Sequence, residues 1–265
     1  MELFSIASGS SGNCICVGND RNHLMIDVGI SGKRIEEGMN HYDMTTSDCD
    51  GILITHEHSD HIGGLGVISR KYGLPIYTTR GTRDAILSCR SMGRIDERLF
   101  HVIEPDVDFS VGELTVHPFR VSHDAADPVA YIVSDGKKRV GVVTDLGTYD
   151  DYIVKNISGL NAILIEANHD VRMLQAGRYP YPLKQRILGD HGHLSNENSG
   201  RLLASVLNDN ICHIFLGHLS KENNYEELAL TSVKTEVSVA DVPYRGTDFP
   251  ITVASRDHVS ERIAV

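Results

Sequence analysis

Seven consecutive residues, Thr55-His56-Glu57-His58-Ser59-Asp60-His61, constrain this chain more than anything else in its 265 residues. They follow directly on Gly51-Ile52-Leu53-Ile54, which reads as a short buried strand. Histidines at i and i+2 leaving a strand end can aim both rings at one point. Asp60 and His61, in the first turn of a following helix, would sit across from them. Four ligand-type side chains within six residues are enough to start two adjacent metal sites, each needing further ligands to close it. The bland alternative is an exposed loop rich in histidine by chance, and the strand-to-helix position argues against it.

Further ligands should then stand at the ends of later strands, and they do. His123 follows the β-run from Leu114 to Val121, Asp145 ends Val140-Gly-Val-Val-Thr-Asp, and His218 ends Ile214-Phe-Leu-Gly-His. Any one alone would read as a loop residue satisfied by solvent; beside the first motif they read as a set. The chain has 14 histidines, an excess that points to metal chemistry because neutral imidazole is the commonest metal ligand. Cys14-x-Cys16 is too closely spaced for a zinc knuckle and reads as alternating positions on an early strand.

The pattern along the chain is strand-rich early, with helices entering at intervals. Leu24–Ile26 and Gly51–Ile54 are strands, Ile62–Tyr72 a helix, Leu74–Tyr77 a strand and Arg83–Cys89 a helix. Leu99 to Thr144 is a meander with a hairpin turn at Ser134–Lys137. The second half alternates: strand Ala162–Ile165, helices around Met173 and Leu183, helix Asn196–Leu207, strand His213–Leu216 and helix Asn224–Lys234. A last strand, Ile251–Ala254, closes the chain. Each half goes from strands to helices, which predicts an α/β fold with two mixed sheets face to face and helices outside. No linker or repeat divides it, so residues 1–265 are expected to form a single domain.

The cluster His56-x-His58-x-Asp60-His61, followed in order by His123, Asp145 and His218, resembles the metallo-β-lactamase fold, a four-layer αβ/βα sandwich. Asp27, in Met-Ile-Asp-Val-Gly, resembles that family's first motif. The resemblance implies two divalent metal ions per chain, zinc or manganese. His56, His58 and His123 would hold one, Asp60, His61 and His218 the other, and Asp145 would bridge them. Asp60 would also orient a bridging hydroxide, which such metal pairs activate. Asp27 would support a ligand histidine without touching metal. The flanks are narrower. Ala7-Ser-Gly-Ser-Ser-Gly-Asn-Cys14, Ile165-Glu-Ala-Asn-His-Asp170 and Gly192-His-Leu-Ser-Asn196 are similar to the YycJ/WalJ-type subgroup, bacterial cytoplasmic proteins regarded as metal-dependent DNA exonucleases. The implied activity is hydrolysis of a DNA phosphodiester from a strand end.

Around these ligands several residues carry two readings. His193 resembles a histidine of phosphodiesterases of this fold that donates to a phosphate oxygen or leaving group; the other reading is a plain loop with Ser195 capping the next helix. Ser195 and Asn196 are substrate-contact candidates, because a capped helix N-terminus is also an anion site. Glu166, His169 and Asp170 form a supporting network, a substrate contact or only a strand-to-helix junction. The loop Ser8–Gly12 offers amides to a phosphate or is a tight turn. Lys184 and Arg186, beside Tyr179 and Tyr181, either guide a DNA strand or belong to a solvated helix.

A net charge of −11 argues against coating nucleic acid through bulk charge, but not against local action on it, since bound cations reverse the field where it matters. No signal peptide or membrane-length apolar run is evident, and five scattered cysteines suit a reducing cytoplasm. The competing functions are a thioesterase resembling glyoxalase II, a small-molecule phosphodiesterase, a β-lactam hydrolase, and a metal-stabilised binding protein. The thioesterase lacks support because no C-terminal helical region follows Ala254. The binding protein is disfavoured by the complete ligand set. Protein partners are not legible.

Overall fold

Strands as apolar as Cys14–Gly18 or Ala162–Glu166 have no polar face to give to solvent and must be covered on both sides. The computed structural model, which describes residues 1–265, covers them by packing two sheets together and helices against each outer face. In chain order the first half supplies β1 (Glu2–Ala7), β2 (Cys14–Gly18), β3 (His23–Ile26), α1 (Gly32–Asn40), β4 (Gly51–Leu53), α2 (Ser59–Ile62), α3 (Leu65–Tyr72), β5 (Ile76–Thr78), α4 (Arg80–Ser88) and β6 (Phe100–Val102). The meander gives β7 (Phe109–Val111), β8 (Leu114–Arg120), β9 (Val129–Ser134) and β10 (Arg139–Val143). The remainder gives α5 (Asp151–Ile157), β11 (Ala162–Glu166), α6 (Val171–Ala176), α7 (Tyr181–Leu188), α8 (Asn196–Val206), β12 (His213–Gly217), α9 (Glu226–Val239), β13 (Ile251–Val253) and β14 (Ile263–Ala264).

One sheet has the order β14-β1-β2-β3-β4-β5-β6 and the other β13-β12-β11-β10-β9-β8-β7, seven strands each. Each is mixed: β3 to β6 and β10 to β13 run parallel, while the other pairings are antiparallel. Strand parity sorts the side chains. Leu24 and Ile26 of β3 face the other sheet and meet Tyr131, Val142 and Phe215, whereas Met25 between them packs outward with Ile35, Met39 and Ile68 of α1 and α3. On the far side Ile163 and Ile214 pack against Leu203 of α8 and Val233 of α9. These are the four layers expected.

Local boundaries differ from the sequence reading in four places. The helix expected over Ile62–Tyr72 is broken into α2 and α3 at Gly63-Gly64, because the chain there crosses the 28–30 segment so closely that a Cβ on Gly64 would lie 2.2 Å from the Ile30 carbonyl oxygen. Helix α4 starts at Arg80, where Thr79 caps it by accepting from the Thr82 amide, and α9 runs on to Val239. Ile251–Val253 does not close the chain: β14 returns to pair with β1, an edge too short to show in sequence.

Candidate metal centre and active site

Ligands in sheets of this kind gather outside the carboxyl ends of the parallel strands, and here six strands deliver side chains to one place. Asp27 follows β3, His56 to His61 follow β4, His123 follows β8, Asp145 follows β10, Glu166 ends β11 and His218 follows β12. Asp27, Asp145 and His218 hold left-handed backbone, with φ of 60°, 57° and 55°. Asp and His tolerate that region better than most residues, and such strain concentrates at functional sites. Gly29 is required for its size: a Cβ there would lie 1.7 Å from the Asp60 carbonyl oxygen, so the turn after Asp27 passes the α2 segment only without a side chain.

The structure brings all seven sequence-derived ligand candidates together. His56, His58 and His123 form one group and Asp60, His61 and His218 another, with ligand atoms inside each group within 4.8 Å of one another. Asp145 stands between them: its Oδ2 is 3.1 Å from His61 Nε2, and its Oδ1 is 3.6 Å from Nε2 of both His123 and His218. His218 Nε2 is 3.2 Å from Asp60 Oδ2, and His123 Nε2 lies 3.2 Å from His58 Nδ1.

Supporting contacts fix the rings. His61 Nδ1 donates to Asp27 Oδ2 at 2.7 Å, and the Thr55 amide and hydroxyl donate to the same carboxylate. Glu166 is fully buried; its Oε1 accepts from Nδ1 of His193 at 2.8 Å and of His218 at 3.0 Å, while its Oε2 accepts from the amides of Leu146 and Leu194. Of the readings open for Glu166, the geometry gives the supporting network. The Ser8–Gly12 loop is a turn, since the Gly12 amide donates to Gly9; Ser8 also accepts the His218 amide, and Asn13 Nδ2 donates to the Asp60 carbonyl.

The donor set fits cations. His56 Nε2 is buried without a hydrogen-bond partner, and Asp145 Oδ2 meets no donor in hydrogen-bond geometry despite its nearness to His61. Orphaned buried polar atoms are rare and call for an explanation such as an ion. Burial, with His61 second, holds His56 well below its ordinary pKa, which keeps it in the neutral form a metal needs. Burial opposes ionisation of Asp60 and Asp145, yet the neighbouring His61 and His218 hold both carboxyls below the usual carboxylate range. Burial would lower His218, but Asp145, Asp60 and Glu166 outweigh it and raise it to about 10. Without cations, then, protons held on His61 and His218 balance this excess of carboxylate.

A histidine whose folded pKa is raised stabilises the fold fully below its unfolded value, 6.5, and that contribution is lost as the pH climbs toward 10. Chelator-treated protein is therefore expected to lose thermal stability progressively between those pH values, whereas metal-loaded protein keeps it because an ion replaces the proton. A Tm of the chelated protein that stays flat across that window would remove the protonated His218 from the account.

Beside the cluster is a pocket of about 210 Å³, reached by His58, Asp60, Asp145, His193 and His218 and walled by Ser10, Asn168, Tyr179 and Arg186. His193 thus lies at the pocket. The four substrate-contact candidates make contacts of their own. Ser195 and Asn196 are buried away from it: Ser195 caps α8 by accepting the Asn198 amide, and the Asn196 side chain pairs with Asn224. Lys184 turns from the pocket to donate to the Gln175 carbonyl, and Arg186, although in the wall, is tied to Asp124 with one contact of 2.9 Å. Of these four candidates Arg186 alone lines the pocket.

This fold and cluster define a hydrolase of the metallo-β-lactamase type, and the chain belongs to the β-lactamase superfamily, whose domain model matches residues 26–212. It is 42% identical over 228 residues to exodeoxyribonuclease YycJ of Bacillus anthracis, covering 86% of each chain. It is 40% identical over 252 residues to exodeoxyribonuclease WalJ of Streptococcus pneumoniae, covering 95% of this chain and 93% of that one. Among solved structures, Zn²⁺-bound PqqB of Methylobacterium extorquens shares the fold with a TM-score of 0.70 at 16% identity, over 98% of this chain and 100% of that one. No helix is long and apolar enough to cross a membrane.

Proposed function

We propose that residues 1–265 act as one domain, a dinuclear metal-dependent phosphodiesterase that degrades DNA from a strand end in the cytoplasm. The observation that carries this reading is Asp145, a single buried carboxylate within 3.6 Å of His61, His123 and His218, and so shared by both ligand groups. The near full-length similarity to two exodeoxyribonucleases supports the substrate, and five free thiols, three of them buried, suit a reducing compartment.

His56, His58 and His123 would hold one ion and Asp60, His61 and His218 the other, with Asp145 common to both; imidazoles suit zinc, and the carboxylates also accept manganese. Ions bound there supply Lewis acidity to a phosphoryl oxygen and acidify water. The chain's own groups do the rest. Asp60, which lines the pocket, would accept a hydrogen bond from the attacking water and orient it. His193 donates from Nε2 to the departing oxygen, since Glu166 occupies its Nδ1. Tyr179 and Arg186 line the same pocket and offer a ring and a guanidinium to the nucleotide at the strand end.

End-labelled DNA, RNA and a glutathione thioester, each incubated with zinc or manganese, test the reading. Stepwise shortening of DNA is expected. Intact DNA beside ready thioester cleavage would overturn the substrate and leave the metal centre standing.

A further inference from the structure

The charge of this protein is unevenly placed. Between Arg70 and Arg98 the chain carries seven basic residues (Arg70, Lys71, Arg80, Arg83, Arg90, Arg94 and Arg98) against three acidic ones, in a protein of net charge −11. Six of the seven are exposed, Arg83 being half-buried. Arg83 is spent on Asp84 at 2.7 Å and Arg98 on Asp96 at 2.6 Å. Arg70, Lys71, Arg80, Arg90 and Arg94 meet no carboxylate within 4.0 Å. Glu97 is the remaining acid of the segment.

The fold lines these charges up. β5 runs parallel to β4, so its carboxyl end, where α4 begins, lies on the same sheet edge as His56. Arg80 opens α4 there. Thr79 Oγ1 donates to the Asp127 carbonyl at 2.8 Å, and a Cβ on Gly81 would come within 2.7 Å of Asp127, so this end of α4 is packed on the loop that follows His123. That loop is tied back to the metal motif, because the Ala126 amide donates to Glu57. From this rim α4 descends the outside of the molecule for nine residues, about 13 Å at 1.5 Å per residue, to the turn that bears Arg90 and Arg94. Arg70 fixes that turn by donating to the carbonyls of Met92 at 3.0 Å and Arg94 at 3.3 Å, which keeps its charge beside the other two.

We propose that Arg80, Arg90 and Arg94, with Arg70 beside them, form a track for the sugar–phosphate backbone of the DNA substrate, leading from the catalytic rim down the outer side of α4. This rests on the DNA-hydrolase reading and extends it. At 3.4 Å per nucleotide of a duplex strand, the helix spans about four phosphates. The track gives an acidic protein the local attraction its bulk charge denies it, and makes grip depend on substrate length. It also takes over the role expected of Lys184, which donates to the Gln175 carbonyl instead.

The test is the double variant Arg90→Glu with Arg94→Glu in metal-loaded protein, beside a control of equal charge change at the exposed Lys137→Glu with Lys155→Glu. For a 30-nucleotide duplex the track variant is expected to raise KM about 10-fold and to flatten the log–log salt dependence by about 1.8, two phosphate contacts' worth. Its turnover of a chromogenic phosphodiester the size of one nucleotide, and its Tm, stay as in the wild type. Binding of the same duplex by chelated protein, read by fluorescence anisotropy, weakens in parallel. DNA cleavage with unchanged KM and salt slope, or an equal loss in the control, would overturn the track alone. A wild-type protein that cleaves no DNA with either metal would overturn the DNA reading and the track with it.

Discussion

Replacing Asp145 by alanine is expected to empty the metal centre and lower DNA hydrolysis by on the order of 10³-fold or more, with the two losses inseparable. Its carboxylate stands among His61, His123 and His218, and no other side chain is within reach of both ligand groups in the same way. Removing it takes a ligand from each proposed ion and leaves the imidazoles facing one another with no anion between them. The fold should survive, because Asp145 makes no hydrogen bond to a core strand and its neighbours Val143 and Leu146 carry the packing. Elemental analysis and single-turnover rates on the same preparation decide the matter. Two ions per chain with normal turnover in Asp145→Ala would sink the shared-carboxylate centre.

His193→Ala should behave differently, keeping both ions while turnover falls on the order of 10²-fold, as expected for loss of a positioned acid. His193 is outside the three histidine groups that would hold the ions through His56, His61 or Asp60, and its Nδ1 is already given to Glu166. It also joins Asp145, Glu166 and His218 in a fourth group, so metal content has to be measured and not assumed. A substrate with an activated leaving group, which needs no proton, should recover much of the lost rate. Full metal occupancy with an unchanged rate at saturating DNA would return His193 to the plain loop reading, and loss of one ion would make it a ligand.

Residue order alone settles the layers and the place of the chemistry. Alternation in β3, with Leu24 and Ile26 to one side and Met25 to the other, is a local consequence of strand geometry, so two-sided cover and hence four layers were legible from residue order. The ligand candidates were legible for a related reason: each stands at or just past the end of an apolar run, and a sheet delivers such positions to one rim whatever the loops do between them. Glu166 was visible only as an undecided acid at the end of β11. Its function depends on His193 and His218, 27 and 52 residues away, and only the packed structure puts them within 3.0 Å of one oxygen. The same limit applies to the substrate-contact candidates. Ser195, Asn196 and Lys184 are candidates by proximity in sequence, while their hydrogen bonds, to Asn198, Asn224 and Gln175, follow from the packing that satisfies buried polar groups. The arginines from Arg70 to Arg98 carry no spacing that marks a binding motif; they become a line only because a parallel β-α-β crossover sets α4 upright between the catalytic rim and the far end of the sheet. Periodicity reports what a residue does to its own strand or helix, and tertiary structure alone decides which distant charges become neighbours.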